Sequence, residues 1–284
     1  MKNKSIAYLT DNTTTMELSA GDEHLISILE NDFNIDIIPW ESDLDWSLYD
    51  LVLVRTTWDY MEKYHHFLEV LEKISTQTKL INSIKTIKWN INKKYLLELK
   101  ELGFPIIPTS IQQQITKENV EQLFEQINKG HGIIIKPTIG ASSQGIQFLT
   151  SPDQLIEVNS GEWFIQPFQK SIQLKGEYSL FFFGGKYSHA INKMPCAGEF
   201  RSQEEFHSTV TSITPSTKMK DLGEELISKI PVTVDYARMD VILDDEDEAQ
   251  IVELELIEPC LFFKYAPEAA INFTQHISTL IKEN

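Results

Sequence analysis

The sequence predicts a protein that is α/β at its N-terminus and α+β thereafter, and three observations predict it. Between Ser5 and Ser83, short apolar runs (SIAYLT, FNIDIIPW, LVLVR, KLINS) alternate with amphipathic stretches (GDEHLISILEND, EKYHHFLEVLEKIST), the pattern of a parallel sheet whose strands are joined by covering helices. From about Ile84 to Gln166 the order becomes helix (NKKYLLELKELG), a proline-bounded extended stretch (FPIIPTS), helix (TKENVEQLFEQINKG), strand (GIIIKP), glycine loop, strand (GIQFL), helix (SPDQLIEV) and strand (WFIQPF). Beyond that point two hairpins stand out. EYSLFFF and KYSHAINKM surround Gly184 and Gly185, a dipeptide suited to a tight turn, and a second hairpin runs from Thr233 to Glu258. A helix near KMKDLGEELISKI lies between them and another closes the chain from about Pro267. These changes of pattern divide the chain into residues 1–83, 84–166 and 167–284.

Composition narrows the function classes. The 284 residues suffice for about two domains of roughly 150 residues, and 42% apolar with 24% charged residues excludes wholesale disorder. Lys and Arg number 25 against 42 Asp and Glu, a net charge of -17 that repels phosphate backbones and anionic lipid, so generic nucleic-acid or membrane partners are not expected. An anionic ligand therefore needs a local cluster of cations. Cys196 and Cys260 are too few for a disulfide framework or a cysteine-only zinc site, which suits a reducing cytoplasm. No window approaches the ~20 apolar residues of a membrane span, and a soluble, unprocessed chain is expected. The first strand is followed by DNTTTMELSAGD, without the G-x-G-x-x-G of a dinucleotide site. The run DDEDE from Asp244 reads as a solvated turn, and His65 and His66 as surface residues of an amphipathic helix.

The second hairpin carries the most chemistry. With a turn centred between Glu246 and Asp247, Asp240 lies opposite Glu253 and Arg238 opposite Glu255, and period-two geometry puts all four side chains on one face. Three carboxylates crowded there repel one another, and Arg238 offsets one charge. A hard divalent cation bound with phosphate oxygens resolves the conflict, whereas a solvent-facing acidic sheet surface is the plain alternative. A second feature is GIIIKPTIGASSQGI, in which Lys136 ends a strand and Gly140 to Gly145 form a loop whose backbone N–H groups, with Ser142 and Ser143, can cradle phosphate. It lacks the G-K-[ST] of a Walker A loop, and taken alone the glycine spacing is more often an ordinary hairpin turn. Third, the strand WFIQPF ends at a polar linker before KGEYS, where an edge can meet an adenine and Glu177 a ribose, or simply face solvent.

In this order the pieces NKKYLLELKELGFPIIPT, IIIKPTIGASSQGI, FIQPF with GEYS, and YARMDVI with IVELELIEP resemble the ATP-grasp superfamily of carboxylate-amine ligases over residues 84–284, with a pre-ATP-grasp domain ahead of them. VRTTWDY, INKMPCAGEFR and ELELIEP resemble the branch that holds prokaryotic glutathione synthetase-like proteins and the ligase that closes D-cycloserine. The resemblance implies ATP and Mg²⁺, with Mn²⁺ as the alternative ion. It implies that Lys93 (or Lys94), Lys136 and Lys193 hold phosphates, that Gly140, Ser142, Ser143 and Gly145 close over the γ-phosphate, that Gln166 and Phe168 present backbone to adenine, and that Glu177 binds ribose. Asp240, Glu253 and Glu255 would hold the metal, Glu255 standing where many such enzymes have Asn.

The implied reaction is phosphorylation of a substrate carboxylate by ATP, followed by attack of an amine on the acyl phosphate. Arg238, with Lys193 and Arg201, is the candidate for stabilising the transferring charge; no side-chain nucleophile is required. For the amino acid-like substrate, Arg55 at the end of the LVLV strand can clamp a carboxylate, with Trp58 and Tyr60 as a wall, or these aromatics can pack the domain interface. Arg201 sits in a loop able to fold over the acceptor. The alternative classes are a nucleotide-binding regulatory module without catalysis and a small-molecule kinase. Oligomeric state is open, a homodimer being the alternative to a monomer.

Overall fold

A computed structural model describes residues 4–12, 21–127, 130–140, 143–156 and 161–282. The N-terminal unit runs β1 (Ser5–Thr10), α1 (Asp22–Leu29), β2 (Asn34–Pro39), β3 (Leu51–Thr56), α2 (Tyr64–Ser75) and β4 (Leu80–Ile81). Its strands are all parallel, in the order β2-β1-β3-β4. Alternation along the strands sorts their side chains into two cores. Ile6, Tyr8, Leu51 and Leu53 face one cluster, with Leu25 and Leu29 of α1, whereas Ala7, Leu9, Val52 and Val54 face another, with Trp40, Phe67 and Leu71. Both faces being covered, the strands read as continuous apolar runs.

Two short helices follow, α3 (Ile84–Asn90), which the apolar pattern did not announce, and α4 (Tyr95–Glu101). Ser83 caps α3 through its side chain. The middle sheet is built from β5 (Ser110–Gln112), α5 (Lys117–Ile127), β6 (Ile133–Pro137), β7 (Gln147–Leu149) and β8 (Trp163–Pro167) in the order β5-β8-β6-β7, over a small core of Val120, Ile133, Ile135, Trp163 and Ile165. The helix expected over SPDQLIEV is a correction: Pro152–Gln154 form one 3₁₀ turn and Glu157 to Ser160 lie outside the described residues. The side-chain amide of Gln147 donates to the carbonyl of Ile156 and accepts from its N–H, which holds that residue away from a helical ladder.

The third sheet follows α6 (Ser171–Lys175). Its strands are β9 (Glu177–Phe183), β10 (Lys186–Met194), β11 (Thr209–Ser212) and, after α7 (Thr217–Lys229), β12 (Tyr236–Leu243) and β13 (Ala249–Glu255); α8 (Pro267–Lys282) closes the chain. The strand order is β11-β10-β9-β12-β13, all antiparallel. Gly184 (φ 55°) and Gly185 (φ 78°) make the two-residue turn between β9 and β10, both in the left-handed region that such a turn demands. Tyr95, Leu96 and Leu99 of α4 pack into the core of this sheet with Phe182, Met239 and Leu254. Phe273 and Ile277 of α8 share a core with β1 and β3. No helix among the described residues is long and apolar enough to cross a membrane.

Buried amides join the units. The Asn82 side chain donates to the carbonyls of Tyr236 (2.8 Å) and Leu256 (2.7 Å) and accepts from the N–H of Asp235 (2.7 Å). The Tyr236 hydroxyl lies 2.8 Å from the carbonyl of Val54 and 2.7 Å from that of Ile257, so one phenol bridges β3 and the segment after β13. Asn90 repeats the device, donating to Leu254 O and accepting from Leu256 N–H. Replacing Asn82 by Ala leaves several buried main-chain groups without partners, which costs about 2–4 kcal/mol. Thermal unfolding of Asn82→Ala is therefore expected at a Tm roughly 5–10 °C below wild type, and Tyr236→Phe, which removes one donor, at a smaller depression. An unchanged Tm in Asn82→Ala would remove this joint from the account of stability.

Candidate active site

A cavity of about 570 Å³ is lined by β6 and β8 of the middle sheet, by β9, β10, β12 and β13 of the five-stranded sheet, and by Trp58 and Tyr60 of the N-terminal unit. The hairpin β12–β13 supplies its acidic wall. Arg238 pairs with Glu255 and Asp240 with Glu253 across the ladder, and all four line the cavity. The register arises differently from the sequence expectation. Leu243 pairs with Ala249, which centres the turn on Glu246, and a bulge then lets Asp240 face Glu253 while Val241 faces Ile251. The extra residue, Val252, restores the pairing and keeps Glu253 and Glu255 on the cavity face.

These carboxylates are interleaved with cations. The Arg238 fork grips Asp240 through Nε (3.1 Å) and Nη2 (3.0 Å) and also bonds Glu255, while Nη1 donates to the carbonyl of Cys260 (3.3 Å). Ser179 donates to Asp240, and Lys193 lies 3.6 Å from it while pairing with Glu177. Burial alone would raise the pKa of Asp240; Arg238, Lys193 and the Ser179 hydroxyl outweigh it and hold the carboxyl below its ordinary range. Glu255 shifts the other way: burial, with Glu253, Asp240 and Glu258 crowding it, prevails over Arg238. Lys93 pairs with Glu253 at 2.8 Å and donates to Gly140 O. Lys94 points away from the cavity to Glu162 (2.8 Å), so geometry favours Lys93 of the two.

Asp240, Glu253 and Glu255 do not form a finished metal cage: among the described residues no group of three or more His, Cys, Asp or Glu side chains is arranged to hold an ion. The physical reason is that Arg238 and Lys93 already occupy their oxygens. As hard oxygen donors on one face they nonetheless suit a divalent cation that brings phosphate oxygens with it.

Lys136, 5% exposed on β6, is the one basic residue of the cavity lining without an ion pair among the described residues. Burial lowers its pKa to about 8; Glu253 and Glu177 oppose that and Lys93 reinforces it. The glycine loop contributes Gly140 and Ser143 to the cavity, Ser143 accepting from the side chain of Gln203 at 2.7 Å. Gly145 (φ 75°) does not line the cavity; it turns the loop against Pro137 and Trp163. Ser142 lies outside the described residues. Gln166 lines the cavity with its side chain bonded to Thr109. Phe168 departs from the expectation in part, because its N–H is already donated to Gly132 O (2.9 Å); its ring packs on Phe148 and Phe200. With Ile134, Ile146, Ile172 and Ile242, Phe168 and Phe200 make an apolar slot of the kind that takes a flat base. Glu177 reaches the cavity from a backbone placed by Gly176 (φ 75°), where an added Cβ would stand 2.9 Å from the carbonyl of Lys193.

Arg55 is a correction. It is wholly buried, and its fork is closed on Asp22 (3.0 and 3.2 Å) and on the carbonyl of Pro259 (2.9 Å), so the carboxylate it clamps belongs to this chain. Trp58 and Tyr60 do line the cavity, and Tyr60 also stacks on Phe67 at 4.3 Å. Arg201 lies on the wall with its guanidinium 3.6 Å from the Phe206 ring centre and bonded to Glu199 (2.7 and 3.1 Å), which is held near a pKa of about 2 chiefly by that bond. Sequence reasoning missed Glu258, which lines the cavity beside Tyr60. The signal for it was Pro259, which disfavours continuation of the strand and breaks the alternation that would have turned Glu258 outward.

Comparison with known proteins agrees with this arrangement. Residues 6–82 match the family described as D-cycloserine synthetase DcsG, N-terminal domain. The cycloserine biosynthesis protein DcsG of Streptomyces lavendulae is 27% identical over 271 residues, covering 87% of this chain and 89% of that protein. The crystal structure of D-cycloserine synthetase DcsG superposes with a TM-score of 0.86 at 22% identity over 98% of this chain and 99% of that one. The D-alanyl-alanine synthetase A of Vibrio cholerae gives 0.72 at 16% identity over 100% and 98%. The chain therefore has the ATP-grasp fold, with an N-terminal unit of the kind found in D-cycloserine synthetases.

The depressed pKa of Lys136 makes anion binding pH-dependent. The lysine is charged below about 8 and loses its proton above that value, so affinity for a polyphosphate falls as pH rises from 7 to 9.5. Calorimetry with a nonhydrolysable ATP analogue is expected to show that decline in wild type and a flatter profile in Lys136→Arg, whose guanidinium stays protonated. Parallel profiles would remove Lys136 from the phosphate path.

Proposed function

We propose that the protein is an ATP-dependent ligase that activates the carboxylate of a small amino acid-like substrate as an acyl phosphate for attack by an amine, in the same molecule or a second one. The carrying observation is that one cavity of the ATP-grasp fold joins an apolar slot, three lysines (Lys93, Lys136, Lys193), Arg238 and a face of three carboxylates. The synthetases it resembles, named for D-cycloserine and D-alanyl-alanine, support an amino acid-like substrate. A count of two cysteines, too few for a disulfide framework, supports a reducing, cytoplasmic setting.

Adenine enters the slot between Ile134, Phe168 and Ile242, beside the β8 backbone from Gln166 onward, and Glu177 accepts from the ribose. Lys93, Lys136 and Lys193 neutralise the phosphates, and Gly140 and Ser143 cover them. Asp240, Glu253 and Glu255 hold Mg²⁺, which when bound neutralises and aligns the phosphate oxygens. A substrate carboxylate oxygen attacks the γ-phosphorus and ADP leaves. The amine then attacks the acyl carbon, inorganic phosphate leaves with the C–O electron pair, and the amine gives up a proton. Arg238, immobilised by Asp240, Glu255 and Cys260 O, stabilises the acyl phosphate and the oxyanion. Arg201 and the Trp58–Tyr60 wall position the substrate.

Glu253 is the cleanest probe of this chemistry, because its partner Lys93 stands at the cavity rather than in the core. Glu253→Gln is expected to lower the rate of Mg²⁺-dependent ADP release by about 100-fold or more while unfolding near the wild-type temperature. Asp240→Asn is expected to lose turnover and also about 3 kcal/mol of stability, since it weakens the hold on buried Arg238 and Lys193. Trapping by hydroxylamine, with hydroxamate and ADP appearing together, separates the ligase from a kinase that stops at a phosphorylated product. Full ADP release by Glu253→Gln sinks the assignment.

A further inference from the structure

Among the described residues, every buried or half-buried carboxylate on the cavity wall has a cation, except one; the exposed Glu204 and Glu205 at its rim have none either. Glu253 has Lys93, Glu177 has Lys193, and Asp240 and Glu255 share Arg238. Glu258 has the neighbouring Tyr60 hydroxyl and the more distant influence of Lys93, which is itself paired. Burial is the main cause that lifts its carboxyl to about 7. Such a group is stabilised when a cation arrives beside it.

The carboxylate is also fixed in place. The main chain around it is held by three buried side chains: the Tyr236 hydroxyl on the carbonyl of Ile257 (2.7 Å), Arg55 on that of Pro259 (2.9 Å) and Arg238 on that of Cys260 (3.3 Å). Tyr60 is 4% exposed and stacked on Phe67, so its hydroxyl cannot swing away. This also gives buried Arg55 a purpose at the site, since it braces the backbone next to Glu258.

We propose that Glu258, positioned by Tyr60, holds the free ammonium group of the amino acid-like substrate, and that the site thereby selects a cationic amine in the molecule it binds. This rests on the ligase reading above. The neighbours fit an organic cation better than a second metal ion. Trp58 lines the same cavity, where an aromatic ring suits an ammonium, and the neighbouring Tyr60 is a phenol rather than a second carboxylate for a hard ion.

The test measures ADP release by wild type, Glu258→Gln and Tyr60→Phe with the common amino acids in both configurations, each beside its N-acetyl form. Wild type is expected to respond to one or more free amino acids and not to their acetylated forms. Glu258→Gln is expected to raise KM for the active amino acid at least about tenfold, the scale of one lost hydrogen bond to a charged group, with KM for ATP within about twofold. Tyr60→Phe is expected to raise the same KM by a few fold at unchanged kcat. Equal use of acetylated substrates overturns the inference in wild type alone, whatever the folding of the variants. So does an unchanged amino acid KM in Glu258→Gln, or a rise confined to ATP or Mg²⁺. ADP release by no member of the panel, with an ATP analogue still bound, overturns the ligase reading and this inference with it, and so is told apart from a failure of Glu258 alone.

Discussion

The cavity depends on alternating charges held out of water. Lys93, Lys193 and Arg238 on one side and Glu177, Asp240, Glu253 and Glu255 on the other form a chain of ion pairs between the sheets. Buried pairs of this kind often contribute little to stability, because the desolvation of each ion offsets its attraction to the other. Their value here is a choice of partners. Here the cations bond the carboxylates; on the ligase reading a triphosphate would draw the same cations to its oxygens and free the carboxylates for its metal ion. A protein of net charge -17 can in this way receive a polyanion, since five basic residues (Lys93, Lys136, Lys193, Arg201 and Arg238) line the cavity and salt screens the distant surface over about 10 Å.

Glu255 shows how the ion-pair chain absorbs a departure from the usual pattern of such enzymes, where Asn is common. An extra carboxylate beside Glu253 and Asp240 is costly, and crowding raises its pKa accordingly. Arg238 stands directly across the ladder from it and bonds it, so the added charge has its counterion at the adjoining strand position. The same arginine grips Asp240 and the carbonyl of Cys260, so it couples the acidic face to the bend that carries Glu258.

Much of the fold was legible in the sequence because period is a strong signal. The apolar runs of β1 and β3 showed a sheet covered on both faces, and the spacing of Asp240, Glu253, Arg238 and Glu255 showed a shared face. That second reading reached the right pairs through a turn centre displaced by half a residue. The bulge at Val252 made up the difference, and no local sequence feature announces a bulge whose worth lies in where it aims the next two side chains. Arg55 misled for a related reason: an arginine at the carboxyl end of a buried parallel strand suits a ligand clamp, but Asp22 enters from α1, a partner that only tertiary packing reveals.

The position of α4 follows from the same physics. By sequence order it precedes the middle sheet, yet Tyr95, Leu96 and Leu99 are apolar on the side that meets β12 and β13, and the Tyr95 hydroxyl accepts from the N–H of Leu254. Lys93, just ahead of that helix, is thereby anchored to the five-stranded sheet while its N–H donates to Thr138 O and its ammonium to Gly140 O at the root of the glycine loop. One lysine so placed senses both walls of the cavity. Movement of the loop relative to the acidic face must stretch either the contact to Gly140 or the 2.8 Å pair with Glu253.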